Sequence, residues 1–238
     1  MDESIYPEDD GGQGWHHEQE LYQQYLLEMQ QYRLLDVNTK GKSMSYFIKD
    51  LGLDKQFELP PAGSHLARCF SFIDLGTQKF TTSGETKEAE QCILSWELAK
   101  QMSDGRPYTI TERYTKNLNE KAKLGQILVS WRTKPFNLEE RKGWDIRMIL
   151  GRACLLTIVH VQKGLKTFAG VTSVVPVPDG LTPPPLSNEV VSFVIPEWTA
   201  EKFSKVPKYY QEIIKKSPEY ESVVGASSHH DIDDDIPF

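Results

Sequence analysis

The stretch YTITERYTKNLNEKAKLGQILVSW, residues 108–131, decides the fold class. Its first part, Tyr108 to Tyr114, is rich in β-branched and aromatic residues and reads as a strand. After Asn119 the period lengthens from two to that of a helix, and Ala122, Leu124, Ile127, Leu128 and Trp131 fall on one side. A strand thus runs into an amphipathic helix, and what flanks this pair sets the architecture.

Two strand-like runs come before it. Leu66 to Leu75 alternates, with Ala67, Cys69, Ser71, Ile73 and Leu75 on one face and Leu66, Arg68, Phe70, Phe72 and Asp74 on the other. A one-residue error of register swaps these two sets. Gln91 to Leu98 alternates through Cys92, Leu94, Trp96 and Leu98. The polar, Gly-bearing residues 76–90 between them read as a hairpin loop, and Asp104-Gly105 as a turn. Beyond the helix, residues 137–150 read as a second helical stretch, with Glu139 and Glu140 near its start as the helix dipole prefers. Strands return at Cys154 to Val161 and, after the Lys163-Gly164 turn, at Leu165 to Val175. Residues 176–188 are Pro-rich and read as surface chain. Val190 to Ile195 reads as one more strand, and Lys208 to Lys216 as a basic helix closed by Pro218.

Five or so strands with a helix after the third is the plan of an oligonucleotide-binding barrel, the OB-fold. The expected class is therefore mainly β with inserted helices (α+β), built on a five-stranded barrel. A generic small α+β domain has the same periodicities and competes with it.

Charge divides the chain into three. Residues 1–62 carry 5 Lys and Arg against 12 Asp and Glu. This acidic extension reads as disordered over residues 1–17 and holds one helix, Glu18 to Leu35. That helix bears a stripe of Leu21, Tyr22, Tyr25, Leu26, Met29 and Tyr32. The stripe suits docking on its own domain or, as the minority alternative, self-association into a homo-oligomer. Residues 63–220, the expected barrel domain, carry 22 Lys and Arg against 17 Asp and Glu, a net of +5. Residues 221–238 have no Lys or Arg and 5 acidic side chains, and read as a disordered acidic tail. The whole-chain pI of 5.4 therefore hides a mildly basic middle between acidic ends.

Cys69, Cys92 and Cys154 are far apart and none forms a CxxC pair, so buried reduced thiols are expected and no metal or cofactor. No leader-like or membrane-length apolar run is evident, so a cytoplasmic protein with no membrane partner is expected.

The last residues are Asp231-Ile232-Asp233-Asp234-Asp235-Ile236-Pro237-Phe238. Aspartates so close together repel one another and stay solvated. Ile236 and Phe238 gain nothing for solubility there, and Pro237 stiffens the backbone between them. A partner with a hydrophobic pocket and a basic rim suits the ring, the terminal carboxylate and Asp231, Asp233, Asp234 and Asp235 together. This stretch resembles the C-terminal tip of bacterial single-stranded DNA-binding proteins. The resemblance implies that it docks DNA-processing enzymes.

The core is also similar to a family of phage- and mobile-element-encoded single-stranded DNA-binding proteins. The similarity lies in Ala67-Arg68-Cys69, Ile73-Asp74-Leu75-Gly76-Thr77-Gln78, Trp96-Glu97-Leu98, Asp104-Gly105-Arg106-Pro107, Tyr114-Thr115, Leu128 to Arg132 and Leu150-Gly151-Arg152-Ala153-Cys154. It covers about residues 63–220 and implies an OB-fold that coats single-stranded DNA in replication, recombination or repair. The first 40 or so residues depart from it.

Sequence-tolerant binding of single strands needs cations along the phosphates and rings to stack on bases. The core alternates the two. Arg68, Phe70 and Phe72 share a strand face, and Arg113, Tyr114 and Lys116 cluster at a strand end. Arg132, Lys134 and Phe136 follow the helix, and Lys163, Lys166 and Phe168 lie on the last hairpin. Trp96, Trp131 and Trp198 are expected in the core. A recombination mediator or strand annealer is the alternative. A nuclease is the third reading, with Asp74, Glu97 and Glu112 on successive strands as a Mg²⁺ cluster. There is no Gly-rich phosphate loop, metalloprotease helix or nucleophile elbow, and the pairs His16-His17 and His229-His230 lie in segments expected to be disordered. No enzymatic activity is expected.

Overall fold

The computed structural model describes residues 58–82, 85–164 and 166–228. The expected N-terminal helix, Glu18 to Leu35, lies outside them. The strands are β1 Gly63–Thr82, β2 Glu85–Gln101, β3 Pro107–Thr115, β4 Ala153–Lys163, β5 Lys166–Val175 and the short β6 Val191–Phe193. The helices are α1 Lys123–Arg132, α2 Leu138–Lys142, α3 Ala200–Ser204, α4 Lys208–Ile214 and α5 Pro218–Ser228. The chain is thus mainly antiparallel β with a few helices, and one six-stranded sheet runs in the order β3-β2-β1-β4-β5, with β6 parallel to β1.

α1 follows β3 as the change of period predicts. Leu124, Gly125, Ile127, Leu128 and Trp131 are its buried side, and it packs on β3 and β5. Trp131 Nε1 donates to the carbonyl of Ala153 at the start of β4, which satisfies the one polar atom of a buried ring (2.9 Å). α1 ends at Thr133, whose φ of 54° is left-handed. Gly125 stands against the Leu118–Asn119 backbone, where a Cβ would collide.

Three expectations need correction. Residues 76–90 are strand over most of their length, because β1 and β2 extend far into the expected loop. Residues 137–150 do not form one helix. Asn137 caps α2 through a reciprocal capping box with Glu140, Gly143 ends it, and Ile146–Ile149 is a separate 3-10 turn. Pro218 opens α5 rather than ending the chain's order, since a proline at the first turn loses no helical hydrogen bond. α5 therefore crosses the expected boundary at residue 220, and residues 221–228 are helical.

The alternation of β1 also slips. Ala67, Cys69 and Phe72 all belong to the main core, together with Cys92, Leu94, Trp96, Leu98, Leu156 and Ile158. Ile73 and Leu75 are buried too, but not in that core. The step from Cys69 to Phe72 is odd, so one residue is absorbed there. The slip coincides with a change of partner: β4 pairs with β1 up to Arg68, and β6 takes over from Ser71.

Every residue of β2 from Gln91 to Leu98 is buried, on both faces. One face meets the core. The segment after β5 crosses the other. Glu97 accepts from the amides of Ser187 and Asn188 (both 2.8 Å) and from Asn188 Nδ2. Gln78 Nε2 donates to the carbonyl of Ile213 (3.2 Å), and Glu219 accepts from the amide and hydroxyl of Thr77. Phe193, Phe203, Tyr210 and Ile214 supply its buried apolar side.

Candidate nucleic-acid interface

A side chain of β3 reaches β5 across the two ends of the strand order. Glu112 on β3 is buried, and its Oε1 accepts the amide of Val171 on β5 (2.8 Å). Its other oxygen is met by Lys123 at the start of α1 (3.2 Å). The carboxylate is thus held by a backbone amide of β5 and by an ammonium group.

Of the five rings expected to stack on bases, four are buried. Phe72 is 2 %, Tyr114 1 %, Phe136 4 % and Phe168 8 % exposed, so none offers a face to a base. The cause for Phe72 is the slip in β1. Tyr114 falls on the inner face of β3, with its ring edge-on to Trp96 at 6.4 Å. Burial holds the Tyr114 phenol well above its ordinary pKa. Phe136 closes the core beside α1, with Trp144 edge-on at 5.3 Å. Phe70 is half-buried.

Most of the expected cations serve the protein itself. Arg68 donates to the carbonyls of Pro184 (2.8 Å), Gly151 (3.0 Å) and Pro183 (3.2 Å), and so pins the Pro-rich segment to β1. Lys116 bridges Asp74 (3.1 Å) and Glu90 (3.0 Å). Arg132 pairs with Glu140 and lies 4.2 Å from the Phe136 ring centroid and 5.2 Å from that of Trp144. Arg113 donates to Gln91 Oε1, and burial lowers its pKa to about 10. Lys134 and Lys166 are exposed, and Lys163 ends β4. Four of the seven expected cations are thus engaged within the protein.

The carboxylates do not converge either. Asp74 is held by Lys116 and the Gly76 amide, Glu97 by Ser187 and Asn188, and Glu112 by Val171 and Lys123. Among the described residues no group of three His, Cys, Asp or Glu is placed to hold a metal ion. The three thiols are buried, and burial raises each above its ordinary pKa, Cys154 to about 12.

The basic helix expected over Lys208 to Lys216 was not tied to any site by its sequence. It is α4, Lys208–Ile214, and Tyr210 and Ile214 are its buried side. Asp231, Asp233, Asp234, Asp235, Ile236, Pro237 and Phe238 lie outside the described residues. Among the described residues no helix is long and apolar enough to cross a membrane. No protein-family model matches the chain, and neither does any curated protein.

Proposed function

We propose that this chain is a single-stranded DNA-binding protein whose sheet closes as an OB-fold barrel, and that it is not an enzyme. The observation that carries the proposal is the strand order β3-β2-β1-β4-β5 with α1 inserted between β3 and β4. In an OB-fold those two outermost strands meet, and the Glu112–Val171 hydrogen bond, a side-chain contact between them, supports this reading. A net charge of +5 over residues 63–220 supports a polyanionic ligand for this segment. The acidic terminus ending in Ile236-Pro237-Phe238 is proposed to dock DNA-processing enzymes, on its resemblance alone.

A salt titration tests the proposal. Labelled oligo-dT should bind the full chain, and log K should fall linearly with log salt as bound counterions are released. Binding that is absent at low salt contradicts it. Cleavage of the oligonucleotide on adding Mg²⁺ favours the nuclease reading instead.

A further inference from the structure

We propose that the Pro-rich strap between β5 and β6, residues 176–190, is a lid over a phosphate-binding site on β1, and that a single strand opens it by taking Arg68 from the carbonyls of Pro183 and Pro184. The inference rests on the single-strand-binding function proposed above.

Ala67 and Cys69 belong to the core, so Arg68 and Phe70 stand on the outer side of β1. Arg68 gives three hydrogen bonds, to the carbonyls of Pro184 (2.8 Å), Gly151 (3.0 Å) and Pro183 (3.2 Å). All three acceptors are neutral. A guanidinium binds an ionised oxygen about twice as strongly, and its planar fork fits a phosphate. The strap thus occupies a fork that a phosphate would fill more strongly. Phe70, two residues on, is half-exposed. The neighbouring backbone on the β4 side is Gly151, whose amide donates to the Cys69 carbonyl (2.7 Å) and which has no side chain to cover the ring. A cation and a ring side by side on one strand face are what a single strand requires, since phosphates need cations and bases stack.

Burial decides which part of the chain opens. Among residues 176–190 only Pro183 is buried, and Leu181 is 50 % exposed. Five of these residues are prolines, which have no amide to donate. Pro183 apart, two charged side chains hold the strap. Arg68 takes two of its carbonyls, and Glu97 accepts from the Ser187 and Asn188 amides and from Asn188 Nδ2. Between strap and strands a shallow crevice is lined by Arg68, Glu97, Ala99, Pro183 and Pro184. The chain that follows is different: Phe193, Ile195, Phe203, Val206, Tyr210 and Ile214 are all buried. Such apolar burial ties a segment to global unfolding, whereas one held by a few polar contacts opens locally. The lid is therefore the strap alone, and β6 and the helices stay in place.

Hydrogen exchange and anisotropy of labelled oligo-dT, both on the full chain, test the lid. Saturating oligo-dT should speed exchange of the Ser187 and Asn188 amides, which Glu97 protects while the strap is closed. Two variants loosen the strap and should act on DNA with opposite signs. Glu97→Gln leaves one acceptor oxygen for three donors and removes a charge that repels phosphate. It should tighten binding several-fold, since a larger open fraction binds. Arg68→Gln frees the strap too but removes the phosphate contact. It should weaken binding about tenfold and reduce the salt slope by about one. Should Arg68→Gln fail to fold, the wild-type exchange and Glu97→Gln carry the test. If the wild type binds while exchange of the two amides is unchanged or slowed, the lid is wrong and the proposed function survives. Two variants that bind like the wild type have the same meaning. A wild type that does not bind overturns both.

Discussion

Single side chains hold this fold at points where backbone pairing stops. Glu97 answers two amides and a side-chain amide of the Ser187–Asn188 turn, and Arg68 answers three carbonyls. Both look from the sequence like ligands for something else, a metal and a phosphate. A charged residue on a strand face gives no sign of whether its partner is a ligand or a distant loop, because that loop is more than 80 residues away in the chain. The cysteines were more legible, since each lies in an apolar run. Their chemistry gives a pH prediction. Each folded thiol has a pKa raised by burial above the ordinary 9.0. The unfolded chain then releases these protons first as pH rises. Their stabilising contribution is complete below pH 9 and is lost above it, by about 1.4 kcal/mol per pH unit and thiol. Arg113, lowered to about 10, acts with the opposite sign higher up. Urea unfolding between pH 8 and 10 should therefore show falling stability, with a shallower fall in Cys92→Ala. An equal fall in both would place the cause elsewhere.

At the scale of elements, the helix after β3 and the positions of β1 to β5 were readable, because period two and period 3.6 differ over ten residues. The faces of β1 were not. Its alternation holds up to Cys69, then slips where β6 replaces β4, and such an exchange leaves no mark in hydrophobicity. The same blindness hid the burial of Phe72. In the layer formed by residues 187–228, β6 and α4 were readable, whereas α3 and α5 were not, because α3 buries one large side chain, Phe203, and α5 none. The fit of this layer on β1 is close. Gly76 has φ 68°, and a Cβ there would come 2.6 Å from the Ser217 Cβ. Ser217 is itself fully buried and bonded to the Ile214 carbonyl (2.8 Å). Gly76→Ala should cost about 2–4 kcal/mol, the sum of left-handed strain and overpacking. Gly105→Ala has similar strain (φ 83°) but open space, and should cost only about 1 kcal/mol. Urea midpoints of the two variants check this, and equal losses would mean that the contact at Ser217 is not tight.

For the whole molecule, the net charge of −7 argues against a nucleic-acid ligand, and its distribution argues for one. The acidic side chains are concentrated in residues 1–62 and 221–238, so a basic segment is presented between two like-charged ends. Sequence patterning led to a mainly β class with a helix after the third strand, and to this charge division. Four of five chosen rings went inside, since a large ring on a strand is worth most to stability when buried. Competition measures single-strand preference most directly. The full chain is bound to labelled oligo-dT, then challenged at one salt concentration with unlabelled oligo-dT and with duplex of equal phosphate content. Rings that stack need unpaired bases, so the single strand should displace the label at far lower concentration than the duplex. Duplex that competes equally well would show binding to phosphate charge alone and contradict the function proposed here.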